Sequence, residues 1–129
     1  MKIMQMNFSS DKSIYVQISE MIENQILRDI LLEEERVLST NEFARMYSIN
    51  PATAAKGINM LVDSGVLYKK RGIGMFVAIG AKEKIMKRRK SEFYDNYIKK
   101  ILEEAESLGI TREELVEMIV EQKGGKDHE

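Results

Sequence analysis

Few side chains in this sequence could do chemistry, and most cannot be assembled into a reacting site. His128 is the only histidine, next to the last residue, and there is no cysteine. The Ser-His and Cys-His pairings of nucleophilic catalysis therefore lack a base or a thiol, and neither a disulfide framework nor a thiolate metal site is available. Glu33-Glu34-Glu35 is acidic enough to suggest a cation site, but consecutive glutamates rarely converge on one ion, so the run predicts a solvated turn. Gly72-Ile73-Gly74 lacks the third glycine and the following helix of a dinucleotide loop. What remains is a set of hydrogen-bonding groups and cations: Thr53 and Lys56 in one stretch, and Lys69, Lys70 and Arg71 running into Gly72 and Gly74 in another. Such groups hold phosphate oxygens and base edges rather than make or break bonds. No enzyme activity, metal or cofactor is expected from them.

Two short helices must position the first group. Ser39-Thr40-Asn41-Glu42 is a capping box, the hydroxyl taking the Glu42 amide while the carboxylate reaches back to the Ser39 amide. The helix it opens should bury Phe43, Ala44 and Met46. Asn50-Pro51 is a second start signal, an N-cap side chain before a proline at the first helical position, where no amide is needed. In this second helix Ala54, Ile58, Leu61 and Val62 recur at helical spacing, leaving Ala52, Thr53, Lys56 and Asn59 on other faces. Its first turns are small or polar, as suits a helix whose N-terminal side chains read bases in a major groove. Ser64-Gly65 ends it, glycine taking the left-handed position. Val66-Leu67-Tyr68 and Met75-Phe76-Val77 then read as strands of a hairpin with Lys69 to Gly74 at its tip. Directly after a helix-turn-helix, a basic hairpin suits a phosphate backbone or a minor groove, and glycine allows close approach of the main chain.

The rest of the chain supplies packing. From Lys12 to Leu31, residues Ile14, Ile18, Met21, Ile22, Ile26 and Ile30 follow the pattern of an amphipathic helix that packs behind the two short ones. Ala81 to Leu108 holds neither proline nor glycine and predicts one helix of about seven turns. Phe93, Tyr94, Tyr97, Ile98, Ile101, Leu102, Ala105 and Leu108 give it a wide apolar stripe, too long for a helix bathed in water, and a second copy of the chain would bury it. Gly109 breaks the helix. Thr111-Arg112-Glu113-Glu114 is another capping box, opening a last helix with Leu115, Val116, Met118, Ile119 and Val120 inward, after which Gly124-Gly125 and the charged end are expected to fray. Lys87-Arg88-Arg89-Lys90 points around most of a helix circumference, so it is either a solubilising collar or the source of one or two phosphate contacts.

At 129 residues the chain has room for one domain and a small appendage. MKIMQMNF lacks the apolar core of a signal peptide and no apolar run approaches the roughly 18 residues of a membrane span, so a cytoplasmic protein is expected. A net charge of −1 is not that of an overtly basic nucleic-acid binder. The charge is segregated, however: residues 65–100 carry 11 Lys and Arg against 3 Asp and Glu, between two acidic segments. Screening over about 8 Å lets such a local basic surface meet phosphates on a chain that is acidic overall.

The stretch from about residue 12 to 78 resembles the winged helix-turn-helix of GntR-family transcription regulators. Ser13-Ile14-Tyr15-Val16-Gln17-Ile18 is similar to the family's Pro-Leu-Tyr-x-Gln-Ile opening, and Leu38-Ser39-Thr40-Asn41-Glu42-Phe43-Ala44 to its Leu-Pro-Ser-x-Arg-Glu-Leu-Ala. Asn50-Pro51-Ala52-Thr53-Ala54-Ala55-Lys56 resembles the Asn-Pro-Asn-Thr-Val-x-Lys/Arg of the YtrA-like subgroup. Gly72, Gly74, Phe76 and Val77 match the wing motif Arg-x-Gly-x-Gly-Thr-Phe-Val. The chain departs from the pattern at Asn41, where the family has a DNA-contacting arginine, at Leu38 for proline, at Met75 for threonine, and at Asp29 and Glu34 where glycines are frequent. The resemblance implies DNA contacts from Thr53, Lys56, Arg71, Gly72 and Gly74. It also implies a short helical dimerisation tail in place of an effector domain, and control of transporter operons.

Together these readings predict a mainly α fold with a small β-wing: a winged helix-turn-helix over residues 1–80 and a two-helix dimerisation segment over 81–129. The expected function is a homodimeric, sequence-specific DNA-binding regulator, a repressor on an inverted-repeat operator of double-stranded DNA, contacting it through Asn50, Ala52, Thr53, Lys56, Lys69, Lys70, Arg71, Gly72 and Gly74. The competing expectation is a winged-helix module that binds protein, separable by its weak dependence on salt. A small-molecule effector between the tail helices is compatible with the first of these.

Overall fold

A computed structural model of the chain describes residues 12–121; the polar lead-in, His128 and the expected fraying beyond Gly124 lie outside the described residues. Helix α1 (Ile14–Leu27) buries Ile18, Met21, Ile22 and Ile26, the face its spacing predicts. It is shorter than the apolar pattern. Arg28 caps it and Asp29 follows at φ +61°, so Ile30 falls outside the helix and Leu31 turns into the core; at the opposite end Ile14, the first helical residue, is exposed.

Helix α2 (Thr40–Tyr47) starts on the predicted capping box: Ser39 Oγ accepts the Glu42 N–H at 3.1 Å and Glu42 Oε1 accepts the Ser39 N–H at 2.8 Å. Hydrogen bonds to the carboxylate from the Ser39 backbone N–H, first, and from the Ser39 hydroxyl hold the Glu42 carboxyl below its usual range, with Arg36 and Arg45 adding to the effect. Phe43 and Ala44 are buried, but Met46 is exposed and Tyr47 packs in its place, its ring centroid 4.6 Å from that of Phe43. At about 100° per residue Tyr47 lies between Phe43 and Ala44 around the helix, whereas Met46 lies on the far side of Phe43.

Helix α3 (Pro51–Asp63) opens on Asn50, whose Oδ1 accepts the Ala52 N–H at 2.8 Å, and buries Ala54, Gly57, Ile58 and Leu61. It closes in a Schellman arrangement: the Val66 N–H donates to Leu61 O and the Gly65 N–H to Val62 O, with Gly65 at φ +81°. Helices α1 and α3 approach closely at Gly57, where a Cβ would stand 2.6 Å from Tyr15 O and 3.0 Å from Ile18 Cβ.

The sheet has three antiparallel strands in the order β1 (Arg36–Val37), β3 (Gly74–Val77), β2 (Leu67–Lys70). Two-residue β1 is too short to leave an alternation in the sequence. The three glutamates before it are in a loop, as expected, but each carboxylate has a donor: Gly80 N–H for Glu33 at 2.7 Å, the Tyr68 hydroxyl for Glu34, and Leu32 N–H for Glu35 at 2.9 Å. Glu34 sits at φ +68° while its N–H donates to Val77 O at 2.7 Å, so it holds the left-handed position that the resemblance assigns to glycine.

The chain divides into two units, Met1–Arg88 and Arg89–Glu129. Helix α4 (Ala81–Phe93) gives the first unit two core residues, Ala81 and Ile85, and Arg88, which forms a two-pronged ion pair with the buried Glu23 of α1 at 2.7 and 2.8 Å. In the second unit a π-helical turn (Tyr94–Ile98) precedes α5 (Lys99–Ser107) and, after Gly109 at φ +74°, α6 (Arg112–Glu121). The uniform long helix of the sequence reading is therefore interrupted. The extra residue of a π turn shifts the faces before and after it by about 100°, and no glycine or proline marks the place. Thr111 and Glu114 form the second predicted capping box, at 2.8 and 3.1 Å. Within α6, however, only Leu115 is partly covered, while Val116, Met118, Ile119 and Val120 are exposed.

Candidate nucleic-acid interface

The N-terminal turns of α3 carry the first set of expected contact residues. Asn50, Ala52 and Lys56 are exposed and Thr53 is partly so. The Asn50 Oδ1 is used by its capping bond while its Nδ2 donors remain on an exposed side chain, so all four residues can face a ligand. Lys56 is held: its Nζ lies 4.1 Å from the centre of the Tyr15 ring, a cation–π contact that fixes a flexible side chain over α1. Tyr15 was legible only as part of the opening motif; nothing in its spacing gives it this role.

The hairpin carries the second set, with a different division than expected. Lys69 and Lys70 belong to β2, paired with Met75 and Gly74, so the turn itself is only Arg71-Gly72-Ile73. The Ile73 N–H donates to Lys70 O at 2.9 Å, and Gly72 at φ +77° supplies the positive third position of a type II turn. Lys69, Lys70, Arg71 and Gly72 are exposed. Gly74 is partly covered, for a reason of packing: at φ +144°, a Cβ there would stand 2.8 Å from Arg36 Nε. Arg36 itself lies opposite Phe76 and pairs with Glu42 at 3.7 Å. The same face of the sheet holds the Tyr68 and Phe76 rings 5.9 Å apart, with Lys70 Nζ 4.7 Å from the Phe76 centre. The hydrogen bond to Glu34 raises the Tyr68 phenol above its ordinary range. Arg36 was not singled out from the sequence; a lone arginine in a two-residue strand carries no pattern.

Of the basic run in the second half of α4, Arg88 is committed to Glu23, while Lys87 and Lys90 are exposed. The apolar stripe is placed as follows: Phe93, Tyr94, Tyr97, Ile101 and Leu108 are between 45% and 65% exposed, Ile98 and Leu102 are partly covered, and Ala105 is buried within its own chain. The Phe93 and Tyr97 rings are 5.4 Å apart. Leu102, Ala105, Ile110 and Leu115 line a cleft of about 460 Å³ in this unit, rimmed by Lys99, Glu103 and Arg112.

No family model matches the chain. A solved structure of a GntR-family protein from Bacteroides thetaiotaomicron is 36% identical, with a TM-score of 0.69, over 84% of this chain and 95% of that one. The chain belongs to the GntR family. That family is one of transcription regulators, not enzymes, and the winged helix of its solved structures is the fold described above. The HTH-type transcriptional regulator YhcF of Bacillus subtilis is 30% identical over 112 residues, 87% of this chain and 91% of that protein. The repressor YtrA of Bacillus subtilis is 26% identical over 98% of this chain and all of that protein. The DNA-binding domain of AraR, solved in complex with an operator, is 30% identical with a TM-score of 0.50 over 59% of this chain and 93% of that one. Among the described residues no helix is long and apolar enough to cross a membrane.

Proposed function

We propose that this GntR-family chain is a sequence-specific DNA-binding repressor that acts as a homodimer on an inverted-repeat operator. The observation that carries the reading is the exposed, small-residue start of α3, with Ala52, Thr53 and a braced Lys56, followed along the chain by a hairpin that exposes Lys69, Lys70 and Arg71. In this reading α3 enters the major groove, Thr53 and Lys56 meet bases or phosphates, and Ala52 offers an apolar contact such as a thymine methyl. Lys69, Lys70 and Arg71 grip the flanking backbone while Gly72 and Gly74 give the turn its shape. Residues 1–80 supply this reading head, its core completed by Ala81 and Ile85. Residues 81–129 join two copies through Phe93, Tyr94, Tyr97, Ile98, Ile101, Leu102 and Leu108, with Ala105 as filler within each copy. Support for pairing comes from the large apolar area these helices leave in water, which a two-fold partner would cover. Two heads then meet half-sites about 34 Å apart or a multiple of it. The operator-bound AraR relative and the YtrA repressor support the DNA partner and the sign of regulation.

The test is a footprint of the full chain on the promoter of its own operon. The reading predicts protection of two inverted half-sites on one face of the duplex. Failure to protect any promoter segment at low salt would overturn it.

A further inference from the structure

At the tip of the hairpin stands a residue that neither phosphate binding nor packing explains. Ile73 is 62% exposed, a branched aliphatic side chain at the end of a hairpin that carries Lys69, Lys70 and Arg71. A single exposed isoleucine is ordinary on a protein surface. Its backbone is fixed in the turn, its N–H tied to Lys70 O, and the space beside the neighbouring Gly72 is open, a Cβ there meeting nothing within 4 Å. Lys70, which could otherwise lie along it, is drawn back over Phe76. The tip thus offers a DNA surface an apolar point with cations behind it, on a hairpin of four residue pairs that extends about 13 Å.

We infer that Ile73 is a specificity-determining residue, which enters the minor groove flanking each half-site and selects base pairs that lack the guanine amino group. The inference rests on the DNA-binding reading above. In the minor groove, A·T pairs present only acceptors, whereas G·C adds the N2 amino donor. Cations in the hairpin favour the approach to phosphates on either side, and an aliphatic side chain on the groove floor fills space without offering an acceptor. Beneath it a guanine amino group loses its water and gains no partner, which weakens binding about 5- to 100-fold.

The experiment uses the full chain and operator duplexes whose flanking pairs, located by hydroxyl-radical footprinting, are A·T, G·C or inosine·C. Inosine lacks the N2 amino group yet keeps the major-groove edge of guanine, so it separates the two grooves. The inference predicts that A·T and inosine·C duplexes bind alike and G·C about 5- to 100-fold more weakly. In Ile73→Asn, whose side chain can accept from the amino group, the penalty for G·C should collapse. Inosine·C behaving like G·C, equal binding of all three, or an undiminished G·C penalty in Ile73→Asn would each overturn it. Absence of binding by the unaltered chain to every duplex at low salt would instead overturn the DNA-binding reading, and this inference with it.

Discussion

Gly57→Ala is the substitution whose effect the structure fixes most sharply. An alanine in mid-helix ordinarily gains about 0.5–1 kcal/mol over glycine, so on helix propensity alone the change should raise stability. Here the added Cβ would lie 2.6 Å from Tyr15 O and 3.0 Å from both Ile18 Cβ and Cγ2. The first of these is backbone and the second a fully buried core residue, so neither yields as a surface side chain would. Restoring ordinary contact with Tyr15 O requires α1 and α3 to part by several tenths of an ångström, and overpacking of this kind costs about 1–3 kcal/mol. The net expectation is a loss of about 1–2 kcal/mol, or a fall in Tm of roughly 4–15 °C for a unit of this size. Thermal unfolding followed by circular dichroism, at fixed protein concentration, measures it. A Tm equal to or above that of the unaltered chain would refute the close approach of the two helices.

Three further outcomes follow from the same geometry. Ser39→Ala removes the hydroxyl half of the α2 capping box and should cost about 1 kcal/mol in chemical denaturation. Because the folded-state carboxyl of Glu42 is held below its ordinary range, its contribution is complete above the usual glutamate pKa and is lost as pH falls through the lowered value; Ser39→Ala, which keeps the larger backbone bond, should flatten that acid limb in part. Tyr15→Phe keeps a ring beneath Lys56 and should leave operator affinity near its original value, whereas Tyr15→Leu frees the lysine and should weaken binding several-fold, as read by fluorescence anisotropy. Tyr97→Asp together with Ile101→Asp puts charge on the exposed stripe and should convert a dimer to monomers in sedimentation velocity, with much weaker operator binding; a full chain that already sediments as a monomer would contradict the pairing.

Where the sequence was legible, the signal was local chemistry. Ser39 with Glu42, Asn50 with Pro51, Thr111 with Glu114, and Gly65 each mark a helix end by hydrogen bonds confined to a few neighbouring residues, and the structure shows those bonds. The buried faces of α1 and α3 were equally plain, because one apolar stripe meets one core. What could not be read depended on partners distant in the chain. Tyr15 reaches Lys56, Glu23 reaches Arg88, and Arg36 fills the space beside Gly74, across separations that leave no periodicity. Met46 was misplaced because α2 is short and two phases of its wheel are nearly as apolar. Lysine is a poor strand former, so Lys69 and Lys70 read as the tip of a loop, whereas they are held in β2 by pairing with β3, which propensity alone does not register. The π turn at Tyr94–Ile98 carries no glycine or proline, and the exposure of α6 reflects a unit with too few helices to enclose a core.

The most direct measurement is the salt dependence of operator binding by the full chain and by Lys56→Ala and Arg71→Ala. If α3 and the wing lie on DNA, log affinity should fall linearly with log salt, and each variant that loses a phosphate contact should lower the slope by about one. A variant that loses a base contact should instead relax discrimination at one operator position. Binding indifferent to salt, or both variants matching the unaltered chain in affinity, slope and discrimination, would contradict the account.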